Sequence, residues 1–467
     1  VSTPAPNPRD RVEEPTLRRR LGPLDGAAIV VSNVIGGGIF FVPMLVAGML
    51  PSAWSMLGVW ALGGLLAFAG AMSYAELATI RPRAGGEYVY LRDAFGPIAA
   101  FLTGWTSFVA GFSGAIAATS LALAEYIGRF FPAAGDKTPL LTIPIPLVPL
   151  VVSSQAIFAI IAIAGLSFVH FHGTGRFVHN VLAAAKVSVL LVLIAIGFSF
   201  GNGNWGNLAS THAVDSVATG WLLALVPIMF SYSGWNAAAY VAEEIRDPDR
   251  NVPLALGLGT LAVVVIYLAL NTLYFYALPI NELAALLQGS ARLTDVVAER
   301  LFGFVAGNAL AIFTIVSMAA SISAMVLAGP RVYFAMARDH VFLESASWVH
   351  PKQRTPMLAI TAQAVWSSVL VLCGSLSGLV AYTAFAVVLF SGIAVLSLFV
   401  LRRREPHVER PFKAWGYPLL PIFFVVASAA MMAMEARRIP GPTLAGLGVI
   451  VAGLPFYFLF VVRARRR

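Results

Sequence analysis

Two apolar stretches of this chain are interrupted by small and polar residues. The first interruption is Val34-Ile35-Gly36-Gly37-Gly38-Ile39-Phe40, and the second is Phe230-Ser231-Tyr232-Ser233-Gly234-Trp235-Asn236. A helix opened in its middle leaves backbone groups without partners. The N-terminal end of one half then offers free N–H groups and a partial positive charge to an anion, and the C-terminal end of the other offers carbonyls to a cation. Glycines 36 to 38 admit non-helical angles and let a ligand reach the backbone. The chemistry that follows is binding rather than bond making. Phe230 and Trp235 flank the second break and read either as a gate and pocket wall or as ordinary packing. Asn236 reads as a polar contact to a ligand or to the opened backbone. Lys186 is the only Lys or Arg within an apolar run at 178–199. A lysine at the centre of a membrane helix costs about 2.5–3.5 kcal/mol, so it needs a partner unless its stem snorkels.

The elements that carry these residues belong to a membrane. Apolar residues make up 59% of the chain and charged residues 11%, against about 25% charged in soluble proteins. At about 20 residues per span this gives about twelve helices in one all-α polytopic domain. The predicted spans are helix 1 (25–46), helix 2 (53–80), helix 3 (96–130), helix 4 (150–169), helix 5 (178–199) and helix 6 (217–242). Helix 7 (254–277), helix 8 (302–337), helix 9 (356–373), helix 10 (378–401), helix 11 (418–435) and helix 12 (442–462) follow. Residues 1–20 read as a disordered tail, and 281–300 as a short surface helix over the external mouth. The loop 132–149 is proline-rich and expected to be irregular. Irregular backbone at membrane depth is tolerated only where it lines a cavity, and paired breaks in two halves of a chain point to a transporter's central site.

The net charge of +9 is a topology signal rather than a nucleic-acid footprint. Most Lys and Arg fall on one side of the predicted spans, which places both termini in the cytoplasm and the chain in the cell's inner membrane. The single cysteine, Cys373, excludes an intrachain disulfide and a thiolate cluster. His170, His172 and His179 gather near helices 4 and 5 without a carboxylate or cysteine, so no metal is expected. No phosphate loop, His-Glu-x-x-His or Gly-x-Ser-x-Gly motif is present, so neither a cofactor nor enzymatic activity is expected. Glu76, Glu243 and Glu244 sit near Arg81, Arg83 and Arg246, and read as an inner ion-pair gate or as solvated helix ends.

The chain resembles the amino acid–polyamine–organocation superfamily, and within it bacterial relatives of the L-type amino acid transporters. The resemblance rests on five motifs in order: Ile35-Gly36-Gly37-Gly38-Ile39-Phe40, Tyr74-Ala75-Glu76-Leu77-Ala78-Thr79, Gly85-Gly86-Glu87-Tyr88-Val89-Tyr90, Tyr232-Ser233-Gly234-Trp235-Asn236 and Glu243-Glu244-Ile245. It covers helices 1 to 10. It implies a LeuT-like 5+5 inverted repeat, with helices 1–5 (about 24–200) and 6–10 (about 217–401) forming a transport core within 21–401. A basic linker and two peripheral helices (402–467) follow. It also implies an amino acid substrate held between broken helices 1 and 6. The amides of Gly37 and Gly38 would take its carboxylate, and the carbonyls of Val34, Phe230 and Ser233 its ammonium. Lys186 matches a lysine that reaches the unwound part of helix 1 and a small polar residue of helix 8, here Ser321. Such an ammonium can replace a sodium ion, and whether it is a fixed charge or a proton carrier stays open.

The expected function is sodium-independent exchange or uniport of amino acids by alternating access, with the membrane lipid and the substrate as partners. The absence of a carboxylate from the predicted pocket favours small to medium neutral cargo. The alternative is a proton-coupled importer of cationic amino acids or polyamines. Mammalian L-type proteins carry a cysteine after helix 3 that ties them to a heavy subunit. The loop 132–149 has none, so no disulfide-linked partner is expected.

Overall fold

The computed structural model describes residues 17–145, 149–171, 174–214, 216–288, 292–303, 306–373, 376–438 and 440–464. Among the described residues nine helices are long and apolar enough to cross a membrane, and the pair Pro23–Val34 and Gly38–Ala47 forms a tenth span bent by 48°. Two shorter apolar helices, Val217–Tyr232 and Met357–Cys373, complete the twelve that the hydropathy implies. The chain is therefore an all-α polytopic membrane protein.

Both expected breaks are present. Helix 1 stops at Val34 and restarts at Gly38, because Ile35 leaves the helical basin at φ −73°, ψ 83°. Helix 6 stops at Tyr232, and Ser233 turns extended at φ −56°, ψ 142°. Its continuation is only one turn, Ala237–Tyr240, and a 3-10 turn, Ala242–Glu244. Gly234 adopts φ 101°, which side chains rarely tolerate.

The two breaks touch. A Cβ on Gly234 would lie 2.8 Å from Asn33 Cβ, and one on Gly38 would lie 2.7 Å from Ser231 Oγ. The small residues are thus where the two interrupted helices cross at close range. Around them stand helix 2 (Ala53–Ile80), helix 3 (Pro97–Ile127), helix 5 (Gly175–Phe200), helix 7 (Pro248–Ala277), helix 8 (Ala306–Ala328) and helix 10 (Leu376–Arg404). Helix 7 packs on both helix 1 and helix 2, and helix 8 on helices 3 and 5. Helix 11 (Leu419–Arg438) and helix 12 (Pro440–Ala464) lie outside this ring, against helices 2, 3 and 10.

Several elements differ from the sequence reading. The loop 132–149 was expected to be irregular, yet β1 (Pro139–Ile143) pairs antiparallel with β2 (Leu150–Ser153). Helix 4 consequently begins at Ser154 rather than 150. The proline signals hid two short apolar runs that pair with each other as a local hairpin. The link before helix 3 forms its own helix, Glu87–Phe95. Helix 3 widens to a π turn over Ser107–Gly111, a feature that clusters at functional sites. The Ser107 carbonyl, which accepts the Phe112 amide, also accepts from Tyr333 Oη at 3.2 Å, and the Val109 carbonyl accepts from Trp366 Nε1 at 3.0 Å. Helix 8 ends at Ala328, and Pro330–Arg338 forms a separate helix after Gly329. The 281–300 segment is two short helices, Ile280–Ala285 and Leu293–Phe302, whose Ile280, Leu283 and Leu293 are buried.

Of the expected tail, residues 1–16 and His172 lie outside the described residues. Residues 17–20 are placed: Leu17 is buried, and the Arg20 and Leu21 amides both donate to the Glu244 carbonyl at 2.9 Å.

Candidate substrate site

Where helix 1 opens, the freed backbone groups divide into two sets. The amides of Gly37, Gly38 and Ile39 donate to no acceptor among the described residues, and they sit at the N-terminus of the half-helix Gly38–Ala47. Unpaired N–H groups at that end form an anion site. Space lies in front of Gly37: a Cβ there would meet nothing closer than Met318 Cε at 3.9 Å.

The carbonyls are largely taken. Lys186 Nζ is fully buried and donates to the Ile35 carbonyl, to the Ser32 carbonyl at 3.2 Å and to Ser321 Oγ at 2.8 Å. Ser321 Oγ lies 2.9 Å from the same Ile35 carbonyl. All three ammonium protons thus have acceptors, and helices 1, 5 and 8 are joined at the break. Lys186 does not snorkel. The structure thus brings Lys186 and Ser321 together at the helix 1 break.

Tyr267 on helix 7 was not anticipated. Its hydroxyl lies 2.9 Å from the Val34 carbonyl and 3.0 Å from the Ser231 carbonyl, so one side chain bridges both breaks. The Val34 carbonyl also accepts from the Gly36 amide at 2.7 Å, which occupies its second lone pair. Val34 is therefore already satisfied, and the Phe230 carbonyl already accepts from the Ser233 amide at 3.0 Å. The Ser233 carbonyl accepts from no donor among the described residues and remains for an ammonium. Apolar spacing marked Tyr267 as core, and nothing local in the sequence distinguishes it from its neighbours.

A cavity of about 90 Å³ lies beside the breaks, and Asn33, Ser233, Gly234 and Asn236 line it together with Phe112 of helix 3 and Phe390 of helix 10. Trp235 does not. Its ring is buried against Tyr74 (centroids 4.8 Å) and Phe424 of helix 11 (5.6 Å), so it packs behind the break rather than walling the pocket. Phe230 is half-buried and, like Val34, Ile35, Gly36, Gly37, Gly38 and Ser231, is absent from the lining. Asn236 faces the cavity but turns to a side chain instead of the opened backbone: its Nδ2 donates to Glu87 Oε1 at 2.8 Å. Glu87 itself lines the cavity, which corrects the expectation of a pocket without a carboxylate. The helix Glu87–Phe95 folds back under the break, a tertiary placement invisible in the local sequence.

Toward the arginine-rich end the expected carboxylates do form ion pairs, with other partners. Glu76 pairs with Arg402 (2.6 Å) and Arg410 (3.3 Å), Glu243 with Arg338 (3.1 Å), and Glu244 with Arg331 (2.8 Å). Glu243 also accepts from the Ala84 amide at 2.9 Å. Arg81 instead joins Asp93 and Glu405, and Arg83 and Arg246 take part in none of these pairs. The Glu244–Arg331 pair is almost completely shielded, at 2% side-chain exposure on both sides. Sequence neighbours lie on the wrong faces, and the true partners come from helices brought in by the fold. His170 donates to or accepts from Ser323 at 2.9 Å, and no group of metal-holding side chains exists among the described residues.

A membrane protein with two touching helix breaks, one bearing free amides and the other a free carbonyl, is built as a transporter of small molecules. Comparison with known proteins gives the family. The amino acid permease family matches residues 21–460, and the chain belongs to that family within the amino acid–polyamine–organocation superfamily. It is 31% identical to the b(0,+)-type amino acid transporter 1 of Mus musculus, over 96% of this chain and 88% of that protein. It is 29% identical to the cystine/glutamate transporter of Homo sapiens, over 96% and 87%. It is 28% identical to the serine/threonine exchanger SteT of Bacillus subtilis (strain 168), over 96% and 98%.

Proposed function

We propose that this protein exchanges amino acids across the membrane without sodium, by alternating access. The carboxylate of the amino acid sits on the Gly37 and Gly38 amides, and its ammonium on the Ser233 carbonyl. That part of the site recognises the backbone common to all amino acids, so small and medium neutral ones are carried on it alone. Exchange is the activity named in one relative, the serine/threonine exchanger.

The observation that carries the proposal is Lys186. Its ammonium occupies the Ser32 and Ile35 carbonyls and Ser321 Oγ, oxygen ligands of the kind a sodium ion would need. A tethered cation there replaces a diffusible one and links helix 1 to helices 5 and 8. The arginine-rich end faces the cytoplasm by the positive-inside rule. The pairs at Glu76, Glu243 and Glu244 close that end and must rearrange for release.

The test is uptake of labelled amino acids into liposomes holding the purified protein. Internal amino acid should accelerate uptake, and replacing sodium by choline on both sides should not slow it. Uptake that needs sodium, or that ignores internal substrate, overturns the proposal.

A further inference from the structure

Glu87 is buried, lines the cavity beside the helix 6 break and has no cation. Its Oε1 accepts from Tyr74 Oη at 2.5 Å, Asn236 Nδ2 at 2.8 Å and Ser391 Oγ at 3.5 Å. Asn236 Nδ2 is in turn 3.0 Å from Tyr240 Oη. These donors come from helices 2, 6 and 10, and every one is neutral. No Lys, Arg or His among the described residues forms an ion pair with Glu87.

The contrast with the other buried carboxylates is the argument. Glu76, Glu244 and Asp25 are each met by an arginine. Leaving a carboxylate buried without a countercharge is costly, and nothing in the packing demands it. Burial pushes the Glu87 carboxyl above the usual carboxylate range, and its hydrogen bonds with Tyr74, Tyr240, Asn236 and Ser391 offset part of that rise. A group held by donors on the protein side and open to a cavity on the other is arranged to receive a cation from the cavity.

The position fits a substrate side chain. Ser233, whose carbonyl is open, and Glu87 line the same cavity, so a substrate held at Ser233 presents its side chain to the space that Glu87 faces. We propose that Glu87 is the counter-ion for a positively charged substrate side chain, an ammonium or guanidinium, and so extends the cargo from neutral to cationic amino acids. This rests on the proposal above that the helix breaks hold the amino acid backbone.

The experiment is competition in the same liposomes, preloaded with unlabelled alanine. Uptake of labelled alanine is challenged from outside by lysine, by norleucine (which lacks only the terminal ammonium) and by putrescine (a diamine without the carboxylate, one methylene shorter than decarboxylated lysine). In the wild type lysine should inhibit at least as tightly as norleucine, and putrescine should not inhibit. In Glu87→Gln the lysine-to-norleucine ratio of inhibition constants should rise at least tenfold, and Glu87→Asp should restore part of it. Lysine inhibiting more weakly than norleucine in the wild type overturns the proposal, and this arm needs no variant to fold. Equal changes for lysine and norleucine in Glu87→Gln also overturn it, since they reduce Glu87 to a packing role. Putrescine inhibiting as well as lysine overturns the amino acid assignment in favour of bare amines. An absence of uptake of any amino acid overturns the transporter proposal itself, and is distinguished by the failure of the alanine signal.

Discussion

Replacing Gly37 by valine separates binding from folding. Gly37 has φ −65°, ψ −24°, angles that any residue adopts, and a Cβ there finds Met318 Cε at 3.9 Å as its nearest neighbour. The position therefore accepts a Cβ, and replacing glycine by alanine at a compatible position stabilises by about 0.4–1 kcal/mol. The larger valine side chain is expected to crowd a carboxylate held on the Gly37 and Gly38 amides. Two charge-assisted hydrogen bonds to a carboxylate contribute about 1.5–3 kcal/mol each, so about 3–6 kcal/mol of binding is lost. At 1.4 kcal/mol per tenfold this is about a 10²- to 10⁴-fold weaker affinity. Two assays read it: uptake into liposomes, and the rise in melting temperature on adding amino acid. At a hundredfold excess over the dissociation constant the wild type should gain about 2.7 kcal/mol, and Gly37→Val should gain none while melting no lower than the wild type without ligand. Near-normal uptake by the variant, or a loss of uptake that merely tracks unfolding, would refute the carboxylate assignment.

Three further changes probe the surrounding bonds. Lys186→Met keeps the stem and removes the ammonium; Ser321 still donates to the Ile35 carbonyl, so melting should shift little while exchange slows at least tenfold, or about 1.4 kcal/mol, and unchanged rates in both directions would refute the role given to Lys186. Glu244→Gln strands the buried Arg331 guanidinium and should destabilise by about 3–5 kcal/mol, with most of that recovered on adding Arg331→Met; denaturant unfolding in detergent measures both, and no recovery in the double variant would show that the pair is not the cause. Tyr267→Phe leaves the Ser231 carbonyl without its donor while the ring stays against Trp60 and Tyr232; melting should report a loss of about 1–3 kcal/mol, and an unchanged melting temperature would mean that water or a rearranged donor replaces the hydroxyl.

The fold and the two helix breaks were legible because they rest on local signals. Runs of apolar residues define the spans, and small residues within two of them mark the breaks. Lys186 and Ser321 could be paired because a buried lysine requires acceptors and the family resemblance names where they lie. What the sequence left open is set by tertiary placement. Glu87 sits in a polar link that reads as a surface turn, yet the helix it starts folds under the helix 6 break. Trp235 adjoins that break in sequence and points away from it, because helix 11 supplies Phe424 on its far side. Glu76, Glu243 and Glu244 have arginines nearby in the chain and choose others across the bundle. Tyr267 looks like any aromatic core residue until helix 7 is seen to cross both breaks.

The partition of backbone groups at the breaks explains the order of recognition. Opening two helices releases carbonyls and amides together, and all must find partners or face ligand. The protein satisfies most of the carbonyls itself: Ser32 and Ile35 take Lys186, Val34 takes the Gly36 amide, Phe230 takes the Ser233 amide, and the single Tyr267 O–H is shared between Val34 and Ser231. It leaves the Gly37, Gly38 and Ile39 amides open. The half of the break that would attract cations is thus filled from behind, by a cation that cannot diffuse away, and its positive charge adds to the field of the half-helix Gly38–Ala47. The open half attracts anions. In the proposed function a carboxylate is then the anchor of the cargo and the α-ammonium a secondary contact at Ser233, which lines the same cavity as Glu87. Under the proposed function, a sodium ion would find these oxygen ligands occupied and would have to displace a covalently attached amine, so the three bonds that hold helix 1 to helices 5 and 8 are the ones the sodium test reads.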